Sequence, residues 1–312
     1  MTTPVLILTG PTGSGKSEWA MRLAQEWPVE IISVDSAQVF RGMDIGTAKP
    51  GSQARSAVAH HLLDILDPAQ AYSAGQFAHD AVELIGQIRA RGHIPLLVGG
   101  TMLYLRALRH GIAQLPPASP TLRKSIDAQA AAQGWPALHA RLAALDPQAA
   151  LRIHPNDSQR IQRALEVCEL TGATLSSLQA HSPAALQGPA PVWALVPEAR
   201  VLLHERLASR FKQMMSQGFL DEVRALHGRG DLRADHASMR AVGYRQLWAH
   251  CDGHSTLSEA MQRGVAATRQ LAKRQLTWLR GDPGIRIVDP QAPGAFAAWS
   301  LEVGVALSGF IR

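Results

Sequence analysis

Residues 8–17 read LTGPTGSGKS, and no other stretch narrows so sharply what this chain can fold into. Gly10, Gly15, Lys16 and Ser17 complete the spacing G-x-x-x-x-G-K-S/T, preceded by the apolar run PVLIL and followed by KSEWAMRLAQEW, whose apolar residues recur at helical spacing. A strand that runs through a glycine-rich loop into a helix is built to hold phosphate. Its glycines let backbone N–H groups close round the oxygens, the helix N-terminus adds its dipole, and the lysine adds a point charge. Gly10, Pro11, Thr12, Gly13, Ser14, Gly15, Lys16 and Ser17 are therefore the candidate phosphate-binding residues, and the Ser17 hydroxyl is placed to join a Mg²⁺ shell. The bland alternative is a structural turn at the start of a helix. The motif does not say whose phosphates are held.

Later segments extend the pattern. EIISVDS reads as a second strand closed by a carboxylate, Asp35, and HIPLLVGGT as another that closes on Thr101. Between them, YSAGQFAHDAVELIGQIRARG has helical periodicity, with Ser73 and Gln76 spaced as a capping box. Strands alternating with helices imply a parallel sheet covered on both faces, so the expected fold is an α/β P-loop NTPase-like core. From Leu115 the texture changes: LPPASPTLRKS is Pro/Ser-rich, Ala/Leu/Gln-rich helical segments come after it, and HSPAALQGPAP is loose again. Residues 115–189 are thus expected to form a helical insertion between a first core part, 1–114, and its completion, 190–312. In that completion VWALVP and IRIVD read as returning strands among long amphipathic helices.

With 46% hydrophobic and 18% charged residues the chain has ample material for a core, and its apolar runs are strand-length, far short of a membrane span. The N-terminal apolar run has no basic leader and reads as the first strand rather than a signal peptide. Cys168 and Cys251 lie far apart with no ligand spacing around them, which fits two reduced thiols in a cytoplasmic protein. His60 and His61 are adjacent in a short strand, where alternation sends them to opposite faces; a structural or RNA-edge role is expected, and no zinc site. The net charge of +6 permits a polyanionic partner without establishing one.

Three readings of the chemistry are open at this point. A motor-type NTPase needs an acid at the end of an apolar strand, and IPLLVGGT ends in glycines and Thr101, which disfavours it. A small-molecule kinase is less demanding and survives. A non-catalytic RNA-binding module would need only the basic helical segments QRIQR, RAVGYR and KRQLTWLR, each of which could equally be a solvated helix face. Asp35 weighs on the choice. It ends a strand at the edge where open parallel sheets bind ligands, so it either faces the reacting group and accepts a nucleophile's proton or caps the next turn.

Seven segments, GPTGSGKS, VDSAQVFRGMDIGTAKP, HHLLDILDP, VGGTMLYLRAL, NDSQRIQRALEV, MRAVGYRQLW and ATRQLAKRQLTWLR, occur in that order from Gly10 to about Arg280. Together they resemble the bacterial tRNA dimethylallyltransferases, the tRNA isopentenyltransferase family. Ala37 and Phe40 stand where the family's DSMQVY has Met and Tyr, changes that bear on packing and substrate fit.

The resemblance gives the phosphates to a leaving group. It implies transfer of a dimethylallyl group from dimethylallyl diphosphate to N6 of the adenosine 3′-adjacent to the anticodon of tRNA. Asp35 would take the N6 proton with Thr101 beside the same amine. Lys16, the loop N–H groups and Mg²⁺ near Ser17 would stabilise the departing diphosphate, with Arg210 of LHERLASRFKQMM as a further diphosphate contact or else a solvated helix arginine. The target base would have to leave its stack to reach a strand-end carboxylate. Positions matching the family's tRNA contacts are Asp35, Ser36, Ala37, Gln38 and Thr101 round the base, then Arg123 and the run Gln159, Arg160, Ile161, Gln162 and Arg163 in the insertion. Further on they are Arg240, Ala241, Val242, Gly243, Tyr244 and Arg245, and finally Lys273, Arg274, Gln275, Leu276, Thr277, Trp278, Leu279 and Arg280. The partners implied are a tRNA anticodon stem-loop and the diphosphate donor, with no membrane and no obligate protein partner, so a monomer.

Overall fold

The computed structural model describes residues 3–113, 115–180 and 183–308; the expected joint at Gln114 and the extreme C-terminal residues lie outside them. The first strand, β1 (Leu6–Thr9), enters the phosphate loop and leaves it as α1 (Lys16–Glu26); β2 (Val29–Val34) then ends at Asp35. After a long loop come α2 (Ser52–Ala57), β3 (His60–His61), α3 (Ala74–Ala90), β4 (Ile94–Gly99) and α4 (Met102–His110). The helices α5 (Pro120–Gln133), α6 (Trp135–Leu145), α7 (Pro147–Arg152), α8 (Ser158–Thr171) and α9 (Leu175–Ala180) succeed it without an intervening strand. Then β5 (Val192–Leu195), α10 (Arg200–Ser216), α11 (Phe219–His227), α12 (Tyr244–Cys251), α13 (Leu257–Arg280), β6 (Ile285–Val288) and α14 (Ala295–Leu307) complete the order.

Among the described residues the strands form one six-stranded sheet in the order β3-β2-β4-β1-β5-β6, with every pair parallel. The interior strands β1 and β2 are buried along their whole length, Glu30 and Ser33 included, as a sheet covered on both faces requires. The register decides where function can sit. Thr9 and Val34 both lie opposite Gly99, so Gly10, Asp35 and the Gly100–Thr101 pair emerge side by side at one edge. Gly10 belongs there for steric reasons: at φ 145° a Cβ on it would meet the Leu195 carbonyl oxygen at 2.5 Å.

The helices bury one face each. In α3 the Ser73–Gln76 capping box expected from the sequence is formed on both sides, and Phe77, Ala81, Ile85 and Ile88 make the buried stripe. The core round the sheet joins Leu6, Leu8, Trp19, Leu23, Ile31, Leu96, Trp193 and Trp299. A second cluster, Val39, Phe40, Met43, Phe211, Phe219, Met239, Tyr244 and Trp248, packs α10, α11 and α12 on the loop after β2.

The chain divides into two compact units, residues up to Leu105 with those from Leu186 onward, and Arg106–Ala185. The Pro-rich textures place these joints at 115 and 189. The first instead falls within α4, which runs on from Met102 to His110. The second falls before Pro189, because the Pro189 and Pro191 carbonyls already accept from Val5 and Ile7 N–H and so belong to the sheet. Among its described residues the second unit contains helices and no strand, with its own core of Ile126, Leu138, Leu142, Ile161, Leu165 and Val167.

Candidate active site

The sheet edge opens into a cavity of about 600 Å³ lined only by residues of the first unit. Thr12, Gly15, Lys16 and Ser17 supply one wall, Asp35 to Gln38 and Gly99 to Leu103 the strand ends, and Arg210, Arg240, Arg274 and Trp278 the helical side.

The loop holds its lysine by its own carbonyls: Lys16 Nζ donates to Gly10 O at 2.9 Å and Pro11 O at 2.8 Å. Desolvation lowers the Lys16 pKa to about 7, the Arg210 charge pushes the same way, and Asp35 opposes both. Arg210 is turned inward from α10. Its pKa is lowered by burial and partly restored by Asp35, and its guanidinium makes no hydrogen bond to any described residue. Ser14 is 1% exposed, and its hydroxyl has no hydrogen-bond partner among the described residues. Two cationic side chains and the start of α1 thus converge on one cavity, which suits a multiply charged phosphate.

Asp35 does both of the things its position allows. Its Oδ1 accepts from Ala37 N–H at 2.8 Å and Gln38 N–H at 3.3 Å, capping the turn, while Oδ2 has no donor among the described residues. Thr101 Oγ1 accepts from Ser36 N–H at 3.1 Å and lies 3.5 Å from Ser36 Oγ, so the ends of β2 and β4 are tied side by side. Gln38 spans the base of this wall. It accepts from Ser33 Oγ at 2.8 Å and donates to the carbonyls of Thr47 and Ala48, holding a loop that also lines the cavity. Ala37 faces the cavity, whereas Phe40 is 2% exposed in the second core cluster; of the two departures from the family pattern, only Ala37 can alter substrate fit directly.

Several positions expected to touch RNA are used otherwise. Ile161, Tyr244, Leu276 and Leu279 are 0%, 0%, 9% and 1% exposed, so their side chains belong to cores. Periodicity explains this, since they fall on the buried faces of helices whose basic residues point outward. Gln275 is 7% exposed and its amide is spent inside the protein. Arg240, Ala241, Val242, Tyr244, Arg274, Gln275 and Trp278 line the cavity; Gly243, Arg245, Lys273, Thr277 and Arg280 do not.

In the second unit, Arg123 grips the buried Glu166 with Nε and Nη2 at 2.9 and 3.0 Å, and Arg163 reaches the same carboxylate at 2.6 Å. Burial alone would raise the Glu166 pKa, but these arginines and Ser119 N–H outweigh it and bring it to about 2. Gln162 donates to Asp127, and only Gln159 and Arg160 of that run are exposed. Sequence reasoning also missed Glu222. Its Oε2 accepts from Asp44 and Ile45 N–H at 2.9 and 2.7 Å, and Oε1 from Gly46 N–H at 3.1 Å and the Tyr244 hydroxyl. Nothing near it in the chain signals that role, because the three N–H groups it accepts from lie 176 to 178 residues away.

His60 and His61 bond to the Val58 carbonyl and to Glu30, at the opposite end of β2 from Asp35, and no group of metal-ligating side chains occurs among the described residues. No helix of the described residues is long and apolar enough to cross a membrane.

A parallel α/β sheet with a phosphate loop facing a strand-end carboxylate defines a class: enzymes that act on a phosphorylated substrate in a crevice at the sheet edge. Comparison narrows it. The sequence matches the IPP transferase family over residues 38–282 and the isopentenyl transferase family over residues 3–64. It is 57% identical to a tRNA dimethylallyltransferase of Alkalilimnicola ehrlichii, covering 91% of this chain and 90% of that one. It is 54% identical to the tRNA dimethylallyltransferase of Bordetella pertussis, covering 94% and 95%. Among solved structures, the full-length tRNA isopentenylpyrophosphate transferase of Bacillus halodurans superposes with a TM-score of 0.72 at 36% identity, covering 98% of this chain and 97% of that one. A eukaryotic dimethylallyltransferase acting on tRNA gives 0.81 at 25% identity, covering 99% and 79%. The chain belongs to the IPP transferase family, the tRNA isopentenyltransferases.

Proposed function

We propose that this protein transfers a dimethylallyl group from dimethylallyl diphosphate to N6 of the adenosine 3′-adjacent to the anticodon of tRNA, releasing diphosphate. The observation that carries this reading is the juxtaposition of Asp35 and Thr101 with the phosphate loop round a single cavity. The adenine amine is a weak nucleophile, its lone pair delocalised into the ring. As the C–N bond forms, the allylic C–O bond breaks with its electron pair passing to diphosphate, and the N6 proton passes to Asp35 Oδ2. Lys16, Arg210 and the loop N–H groups receive the charge that accumulates on the leaving oxygen. The apolar part of the lining, including Ala37, Phe211, Met214, Leu271 and Trp278, suits an uncharged base and a short hydrocarbon chain.

A Mg²⁺ ion fits this site through one protein ligand. Ser17 Oγ is exposed at the loop, and with no acidic cluster nearby the ion would keep water and diphosphate oxygens as its other ligands, supplying charge neutralisation. The exposed cations Arg240, Lys273, Arg274 and Arg280 of the first unit, and Arg160 of the second, are the proposed tRNA contacts. The protein is proposed to act in the cytoplasm as a monomer with no protein partner.

The test is direct. Purified protein, unmodified tRNA transcript, Mg²⁺ and dimethylallyl diphosphate are incubated, and the digested nucleosides are weighed by mass spectrometry. An adenosine heavier by one dimethylallyl unit, dependent on the donor, is expected. Intact protein that binds tRNA but yields no such nucleoside would sink the reading and return attention to ATP turnover.

A further inference from the structure

Gln275 lies on the buried face of α13, beside Ala272, Leu276 and Leu279. An apolar residue would bury there at no cost, whereas an amide taken from water is unfavourable unless both its halves are paired. Both are. Thr12 N–H donates to Gln275 Oε1 at 2.9 Å, and Gln275 Nε2 donates to Gly100 O at 2.8 Å. The single acceptor half thus meets a donor and the donor half an acceptor, which fixes the amide's orientation.

The two partners come from opposite sides of the site. Thr12 lies in the phosphate loop between Gly10 and Lys16. Gly100 precedes Thr101, whose hydroxyl holds Ser36 N–H next to Asp35. Their packing is close as well: a Cβ on Gly100 would fall 2.4 Å from Gln275 Nε2 and 3.0 Å from Gly10 O. Only glycine lets the end of β4, the loop and the amide meet in this way.

We infer that Gln275 is a positioning residue for the transfer, the strut that sets the distance between the phosphate loop and the Asp35–Thr101 strand ends. The inference rests on the proposed function, in which the loop holds the donor and the strand ends hold the acceptor amine. Reacting atoms must approach to about 3–3.5 Å, and a displacement of about 1 Å costs on the order of 100-fold in rate. Gln275 borders the cavity, but its amide is committed to the loop and to Gly100, so its effect on the transfer runs through those two partners. Arg274 and Trp278 line the same cavity from the same helix with exposed side chains, whereas Gln275 reaches it with a buried amide already paired on both sides.

The experiment compares wild type, Gln275→Met and Gln275→Glu in steady-state transfer of dimethylallyl to tRNA, with tRNA affinity measured by fluorescence anisotropy. Gln275→Met keeps the length and loses both hydrogen bonds; its kcat should fall about 10- to 100-fold while tRNA affinity stays within about threefold. Gln275→Glu supplies a second acceptor opposite Gly100 O when ionised. Once protonated, it restores one donor and one acceptor. Its activity relative to wild type should therefore rise as pH falls, with no such rise for Gln275→Met, a signature that a generally loosened fold would not give. A Gln275→Met kcat within twofold of wild type overturns the inference. So does a loss confined to tRNA affinity, which would make Gln275 an RNA contact. An inactive wild type overturns the proposed function, and this inference with it, and is told apart by the control lane alone.

Discussion

Lys16 carries the sharpest consequence at the scale of single residues. Desolvation first, and Arg210 second, bring its pKa from 10.5 to about 7, so the free enzyme loses this positive charge as pH rises through neutrality. Diphosphate binds the ammonium form. The donor KM is therefore expected to be flat below pH 7 and to climb above it, by up to about tenfold per unit. The donor titrates too, and Lys16→Arg separates the two, because a guanidinium stays charged throughout. Steady-state kinetics from pH 6 to 9 should show a rise for wild type and a flatter profile for Lys16→Arg. Asp35 gives the complementary prediction. Asp35→Asn keeps an acceptor for the Ala37 and Gln38 N–H groups but cannot take a proton, so kcat should fall by about 10²- to 10⁴-fold with tRNA affinity nearly unchanged. Equal activity of the two proteins would remove Asp35 from the chemistry.

The parts of the site written in contiguous sequence were legible, and they are strands together with the turn at each strand's carboxyl end. The loop, Asp35 and Thr101 each come directly after an apolar run whose end marks the sheet edge, so reading the strand also located the residue. Helices were less informative. In α10 several cations share one amphipathic helix, and only packing shows that Arg210 is the one turned inward. Gln275 reads as part of a basic RNA-facing run because it sits among Lys273, Arg274 and Arg280, yet its side chain is buried; one position along a helix turns a side chain by about 100°, enough to exchange solvent for core. Glu222 was invisible for a different reason. Its carboxylate fills a nest of three successive N–H groups from a segment far away in the chain, together with the Tyr244 hydroxyl. Glu222→Gln replaces one acceptor oxygen with an NH₂ facing those donors. Urea unfolding should show a loss of about 1–3 kcal/mol, and a stability unchanged within error would mean the loop finds other acceptors.

Over the whole molecule, a net charge of +6 says little until the cations are sorted by what they already hold. Arg91 is bound to Glu30, Arg55 to Asp64, Arg229 to Asp67 and Asp231, and Arg123 and Arg163 to Glu166. Charges committed in this way belong to the fold, and their removal should show first as lost stability. Lys273 and Arg274 are different: both are exposed on α13, and neither forms an ion pair within 4 Å among the described residues. If they meet tRNA phosphates, they release counterions on binding, and each contributes roughly 0.7–0.9 to the slope of log affinity against log salt. The double substitution Lys273→Ala, Arg274→Ala should then flatten that slope by about 1.5 and weaken tRNA binding at low salt. Arg123→Ala should do the reverse, leaving the slope nearly intact and destabilising the second unit by stripping a partner from a buried carboxylate. A slope that answers to Arg123 and ignores Lys273 and Arg274 would move the RNA-binding surface off α13.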